Sequence, residues 1–360
     1  MDATNVKMRA MLEKEGLDAL LLTKPANQRY LEGFTGHDCY MIVSHKGNFL
    51  IADSRYTEMG ERECRTAKIL PHRAPHPPYA DVIAKLSHDM GFRSLGFERD
   101  HITWGQYDEV NKSMQTHDIA FVPTSSLIER IRQIKTPEEA AMIGAACQIA
   151  DRALSDLIDH IHPGVSELDL KIELDYKMKT GGAEDSSFDT MVLFGARASQ
   201  PHAVSQSDVR LCKGDFILID YGATKCGYHS DTTRTFVCGK ATAEQCKAYE
   251  TTLKSQLDSL ALVAPGVNGK TLNEKALEVI TEAGYPAFQY GLGHGVGLEV
   301  HELPSMPQKA DVTLEPGMVI TIEPGIYKPG WGGIRIEDTV IVTEHGHSVL
   351  TFFNKELIEL

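Results

Sequence analysis

Short apolar runs alternate with amphipathic stretches through the first third of the chain. Runs at 19–22, 40–43, 48–51, 94–96 and 119–122 have the length of buried strands, whereas 5–15 and 80–90 show helical spacing. Alternation of this kind predicts a small α/β domain over residues 1–126. The segment Leu127-Ile128-Glu129-Arg130-Ile131-Arg132 predicts a helical connector leading into a second domain, residues 127–360.

The second part repeats its own pattern. Thr136-Pro137-Glu138-Glu139 starts a helix by three rules at once: Thr as N-cap, Pro in the first turn, Glu reaching back. That helix closes at His162-Pro163-Gly164, and Ser166 to Asp169 starts the next. A strand over 216–219 then leads into Asp220-Tyr221-Gly222, and a second strand runs over 231–237. The same landmarks return 102 to 106 residues later: a capping box at Thr242 to Gln245, a stop at Pro265-Gly266, a helix start at Thr271 to Glu274. A strand ending Ile322-Glu323-Pro324-Gly325 follows, paired across a Gly-rich turn with 333–342. Four landmarks sharing nearly one offset predict two αα-ββ halves related by approximate two-fold symmetry, with their carboxylates facing at the centre.

Strand parity says which side chains can converge there. Asp220 shares a face with Leu218, Asp231 with Thr233 and Thr235, Glu323 with Thr321, and Glu337 with Arg335. Four carboxylates in or beside apolar strands require positive partners. Arg197, Arg234 and Arg335 lie nearby in sequence, but two divalent cations would neutralise four carboxylates fully. His294 sits in Gly291-Leu292-Gly293-His294-Gly295-Val296-Gly297, where glycines let backbone approach a site closely. Such an oxygen-rich set with one imidazole suits Mn²⁺, Co²⁺ or Fe²⁺ at least as well as Zn²⁺.

Composition narrows the field further. The 360 residues carry 36 Lys and Arg against 50 Asp and Glu, a net charge of −14, which argues against nucleic acid and anionic membrane surfaces as partners. No apolar run approaches the roughly 18 residues of a membrane span, and the N-terminal residues are polar, so a cytoplasmic protein is expected. Seven scattered cysteines without a C-x-x-C pair fit reduced thiols and give no zinc-finger spacing.

Several of these residues together resemble a known family. Asp220 and Asp231 with Thr232-Thr233-Arg234-Thr235, His294 with His301-Glu302, Ile322-Glu323-Pro324-Gly325 and Arg335-Ile336-Glu337-Asp338 resemble the dinuclear metallopeptidases of the pita-bread fold (M24). The branch is that of the Xaa-Pro aminopeptidases and prolidases, and Asp53-Ser54-Arg55-Tyr56 and Arg132-Gln133-Ile134-Lys135 also read like it. The resemblance implies a small N-terminal α/β domain of creatinase/prolidase type, followed by a pita-bread α+β catalytic domain with an internal pseudo-two-fold repeat.

It also implies two divalent metal ions, Mn²⁺ first and Co²⁺, Zn²⁺ or Fe²⁺ as alternatives. Asp220 would hold one, His294 and Glu323 the other, with Asp231 and Glu337 bridging. Two such ions lower the pKa of a bridging water toward about 7. By resemblance Glu323 is the general base, and His202 and His301 position substrate and stabilise the tetrahedral intermediate. Arg335, on the face of Glu337, orients that carboxylate or contacts substrate. The branch usually carries a histidine four residues before the metal-binding one, lining the pocket for the residue after the cut. Tyr290 stands there instead; its ring can pack on a pyrrolidine and its hydroxyl can donate.

The activity so implied is hydrolysis of the bond between an N-terminal residue and proline, by a homodimeric aminopeptidase acting on peptides with proline second. The alternatives are an Xaa-Pro dipeptidase, an aminopeptidase of broader preference, a non-peptidase enzyme on the same fold, and a silent peptide-binding module. All five metal-binding positions are present, which argues against the last.

Overall fold

In the computed structural model, which describes residues 3–309 and 311–360, the chain divides into two compact units, Met1–Arg132 and Gln133–Leu360. The first is built on a six-stranded sheet in the order Lys68–Pro71, Gly47–Ala52, Tyr40–Ser44, Ala19–Leu22, Ser94–Glu98, Ala120–Thr124. Its middle is antiparallel and its margins parallel. Ala19–Leu22 and Tyr40–Ser44 are buried throughout, which is why both read as continuous apolar runs. The pattern had not singled out the helices Pro25–Glu32, Thr57–Glu63 and Trp104–Gln115, nor the strand Lys68–Pro71. The last of these helices opens with a capping box, Thr103 with Gln106, that the sequence does display.

The division falls six residues beyond the boundary expected from the sequence, because helix Leu127–Arg132 packs within the first unit. Its Leu127, Ile128 and Ile131 are buried, Arg132 Nη1 donates to Asn27 Oδ1 at 2.7 Å, and Glu129 pairs with Lys24 at 3.2 Å.

The second unit consists of two halves of one plan. Helices Pro137–Leu157 and Glu167–Thr180 are matched by Ala243–Leu260 and Gly269–Glu282. Capping boxes sit at Thr136, Ser166 and Thr242. The fourth helix starts earlier than Thr271, because the Asn268 side chain accepts the N–H of Lys270 and caps it.

Each half also carries a long hairpin broken midway. Phe216–Tyr221 pairs with Thr232–Val237, placing Asp220 opposite Thr233; beyond the break, Ala223–Lys225 pairs with Tyr228–His229. In the second half Val319–Ile322 pairs with Asp338–Thr343, and beyond the break Gly325–Lys328 pairs with Gly332–Arg335. The expected single strand over 333–342 is therefore two strands, parted at Ile336 and Glu337. At the first break a Cβ on Gly222 would lie 2.0 Å from the carbonyl oxygen of Ser230, so glycine is required. Asp231, Glu323 and Glu337 stand in these breaks, and Asp220 lies two residues before Gly222 at the first.

Side-chain and backbone hydrogen bonds join the halves. Thr339 Oγ1 donates to Asp231 O at 2.7 Å, Thr235 Oγ1 to Arg335 O at 3.0 Å, and the Glu337 N–H to Thr233 O at 3.2 Å. Arg234, 1% exposed, pairs with Asp338 at 2.8 Å and donates to the carbonyls of Glu337 and Phe353. One apolar cluster draws Phe216 and Leu218 from the first half and Ile320, Ile334 and Ile336 from the second. Breaking a buried pair of this kind costs about 3–5 kcal/mol. Arg234→Met is expected to lose that much in urea denaturation; a loss below about 1 kcal/mol would show that the halves do not depend on Arg234.

Candidate active site

A cavity of about 510 Å³ opens beside the two breaks, and the nine residues given metal, catalytic or substrate roles from the sequence all line it. The remaining wall is partly apolar, with Phe188, Met191, Val204 and Val300. Asp231 and Glu337 are buried, while Asp220 and Glu323 retain some exposure. One ligating atom from each of Asp231, His294 and Glu337 lies within 4.8 Å of the others. His294 Nε2 is 3.5 Å from Asp231 Oδ2 and 3.5 Å from Glu323 Oε1.

Hydroxyls set these side chains. Thr233 Oγ1 donates to Glu337 Oε2 at 2.6 Å, and Thr321 Oγ1 to Glu323 Oε1 at 3.3 Å. Thr321 Oγ1 also accepts the N–H of His294 at 3.1 Å. Neither threonine was singled out for a role; strand parity had put Thr321 beside Glu323, but Thr233 beside Asp231 rather than Glu337.

Only one of the three nearby arginines reaches the cluster. Arg197 pairs with Glu167 and Arg234 with Asp338, whereas Arg335 Nη2 lies 2.5 Å from Asp220 Oδ2. Arg335, read from the sequence on the face of Glu337, has its guanidinium across Asp220, Thr233 Oγ1 at 2.8 Å and Tyr327 Oη at 3.0 Å, and its charge also draws on Glu337. Tyr327 in turn meets Tyr290, hydroxyl to hydroxyl, at 2.8 Å. Sequence inspection missed Tyr327, whose place is fixed by its strand pairing with Gly333. His301 stacks obliquely on His294 with ring centroids 4.1 Å apart, and His202 lies exposed on the cavity wall.

The electrostatics are those of crowded acids with too little positive charge. Burial, then Glu337, Asp220 and Glu323, push the Asp231 carboxyl far above its usual range. Burial and then Glu337 do the same to Glu323, and burial and then Asp220 push Glu337 up to about 7. Burial raises Asp220 too, against the pull of Arg335, and its Oδ1 is buried with no hydrogen-bond partner among the described residues. Burial and the neighbouring His301 hold His294 down to about 4, leaving a neutral imidazole at pH 7. Oxygen donors that repel one another, an orphaned carboxylate oxygen and a neutral imidazole within reach together fit divalent cations.

Comparison with known proteins agrees. Residues 141–344 match metallopeptidase family M24, and residues 6–134 match the creatinase/prolidase N-terminal domain. The chain belongs to metallopeptidase family M24. Over 99% of its length it is 36% identical to the Xaa-Pro dipeptidase of Pyrococcus horikoshii, covering 100% of that protein. Among solved structures, the Xaa-Pro dipeptidase from Bacillus anthracis is 38% identical with a TM-score of 0.94, over 99% of both chains. The X-Pro aminopeptidase from Thermotoga maritima is 31% identical with a TM-score of 0.91, again over 99% of both. This M24 chain thus has the expected architecture, an N-terminal α/β domain followed by a pita-bread domain. Among the described residues no helix is long and apolar enough to cross a membrane.

The raised carboxyls make stability depend on pH in a definite direction. A carboxyl whose folded pKa exceeds its unfolded value binds protons better when folded, so its contribution is lost as pH rises through the folded value. His294, held low, has the opposite sign and is spent by about pH 6.5. Chelator-treated protein should therefore melt at falling temperature from about pH 6.5 to 8. A flat or rising midpoint over that interval would mean that the carboxyls are not raised.

Proposed function

We propose that this chain hydrolyses the peptide bond between an N-terminal residue and proline, using two divalent ions, Mn²⁺ first among them. The observation that carries this reading is the meeting of four carboxylates and a neutral imidazole on one cavity wall, in a chain of family M24. Asp220, Asp231, His294, Glu323 and Glu337 would hold the ions. When bound, such ions supply Lewis acidity that lowers the pKa of water and polarises a carbonyl.

The chain's own groups do the rest. Glu323, with one oxygen steadied by Thr321, takes the proton of the attacking water. His301 and His202 hydrogen-bond the developing oxyanion and the leaving nitrogen. Arg335 holds Asp220 in place, and through Tyr327 it also fixes Tyr290, whose ring forms a wall for the proline ring. An X-Pro bond has no N–H and a constrained backbone, so a dedicated site is chemically reasonable. Cytoplasmic location and a homodimer, testable by light scattering, belong to the same proposal.

A second reading, the Xaa-Pro dipeptidase, is favoured by the names of two of the relatives, whereas the third is an aminopeptidase. Release of the first amino acid from Xaa-Pro and Xaa-Pro-Pro with added Mn²⁺ separates them. An aminopeptidase cleaves both, a dipeptidase only the shorter, and cleavage of neither sinks the proposal. Asp231→Asn should lower kcat by more than about a hundredfold with an unchanged circular dichroism spectrum. Retained activity would move the site elsewhere.

A further inference from the structure

The loop between the two stacked histidines folds around a buried ion pair that the reaction above does not use. Lys135 Nζ lies 2.8 Å from Glu302 Oε1, and the two side chains are 1% and 2% exposed. Glu302 Oε2 accepts the N–H of Glu299 at 3.3 Å, and a Cβ on Gly297 would fall 2.3 Å from Glu302 Oε1. The carboxylate therefore fills the inside of the turn 297–302, which is closed further by the Gly297 N–H donating to Glu299 O at 3.0 Å.

Glu302 also begins the strand Glu302–Met306, opposite Gly295 and beside the bulge that follows His294. Lys135 is fixed in its turn by its N–H, which donates to Gly317 O at 2.8 Å. A buried ion pair stabilises a fold no better than well-packed apolar residues of the same volume, so its use here points to orientation. What it orients is the backbone at 301–302, from which the His301 ring enters the cavity.

We propose that Lys135 is a positioning residue for His301: its ammonium fixes the Glu302 carboxylate, and the turn built on that carboxylate holds the imidazole toward the reacting groups. This rests on reading the cavity as the peptidase site.

The test compares Lys135→Met, Lys135→Arg and Lys135→Met/Glu302→Gln with the wild-type chain. Removing the cation is expected to lower kcat on an Xaa-Pro dipeptide by about tenfold or more while KM stays within about threefold. The double variant, which buries no unpaired charge, should melt close to wild type yet be equally slow, and Lys135→Arg should recover most of the rate. The imidazole resonance of His301 in chelator-treated protein, identified by its loss in His301→Asn, should shift in the first and third variants and not in Lys135→Arg.

A double variant with wild-type kcat, an unmoved resonance, or a rate loss that merely follows the melting temperature overturns the proposal. If Lys135→Met does not fold, the double variant decides. If neither folds, the pair is a folding requirement and the proposal fails. A wild-type chain that cleaves no Xaa-Pro substrate counts against the function above, and the resonance then judges Lys135 alone.

Discussion

Mutual repulsion among acids at the centre of the second unit constrains everything around them. Asp231 and Glu337 are 5% and 2% exposed, and their nearest ligating oxygens lie within 4.8 Å. At an effective dielectric of about 20, two full charges so placed repel by about 3–4 kcal/mol. Asp220 and Glu323 add to that, and Arg335 offsets only part of it, from the Asp220 side. A fold that brings these groups together must either hold protons on them or take up cations. The hydroxyls of Thr233 and Thr321 and the threonine bonds between the halves are the framework that keeps the acids in place against their repulsion.

The repeat supplies that framework economically. One plan, two helices and a broken hairpin, is used twice, and each break presents a pair of carboxylates. Because the hairpins are interrupted there, the chain can leave the sheet at the point where the side chains need room. Gly222 marks one break and Pro324 the other, a residue without a side chain and a residue without an N–H. The acidic excess of the sequence is thus partly a property of this site, and a net charge of −14 would fall to about −10 on binding two divalent ions.

Much of this was legible in the sequence, and the reason is local. Strand parity placed Asp220, Asp231, Glu323 and Glu337 on converging faces, and capping boxes at Thr136, Ser166 and Thr242 framed the helices correctly. What escaped notice depends on distant pairing. Tyr290 meets Tyr327 across 37 residues of sequence, and Arg335 bonds Asp220 across 115. The partners Lys135 and Glu302 lie 167 residues apart, with nothing in either segment to announce the other. The start of the fourth helix was displaced by a different local effect, an asparagine cap at Asn268 that precedes the threonine expected to fill that role.

The central claim is that the buried acids are a place for two cations, and counting those cations tests it most directly. Chelator-treated protein titrated with Mn²⁺ and analysed for bound metal after removal of the excess should hold about two ions per chain, with protons released as they bind. One ion or none, with the protein folded, would contradict the account.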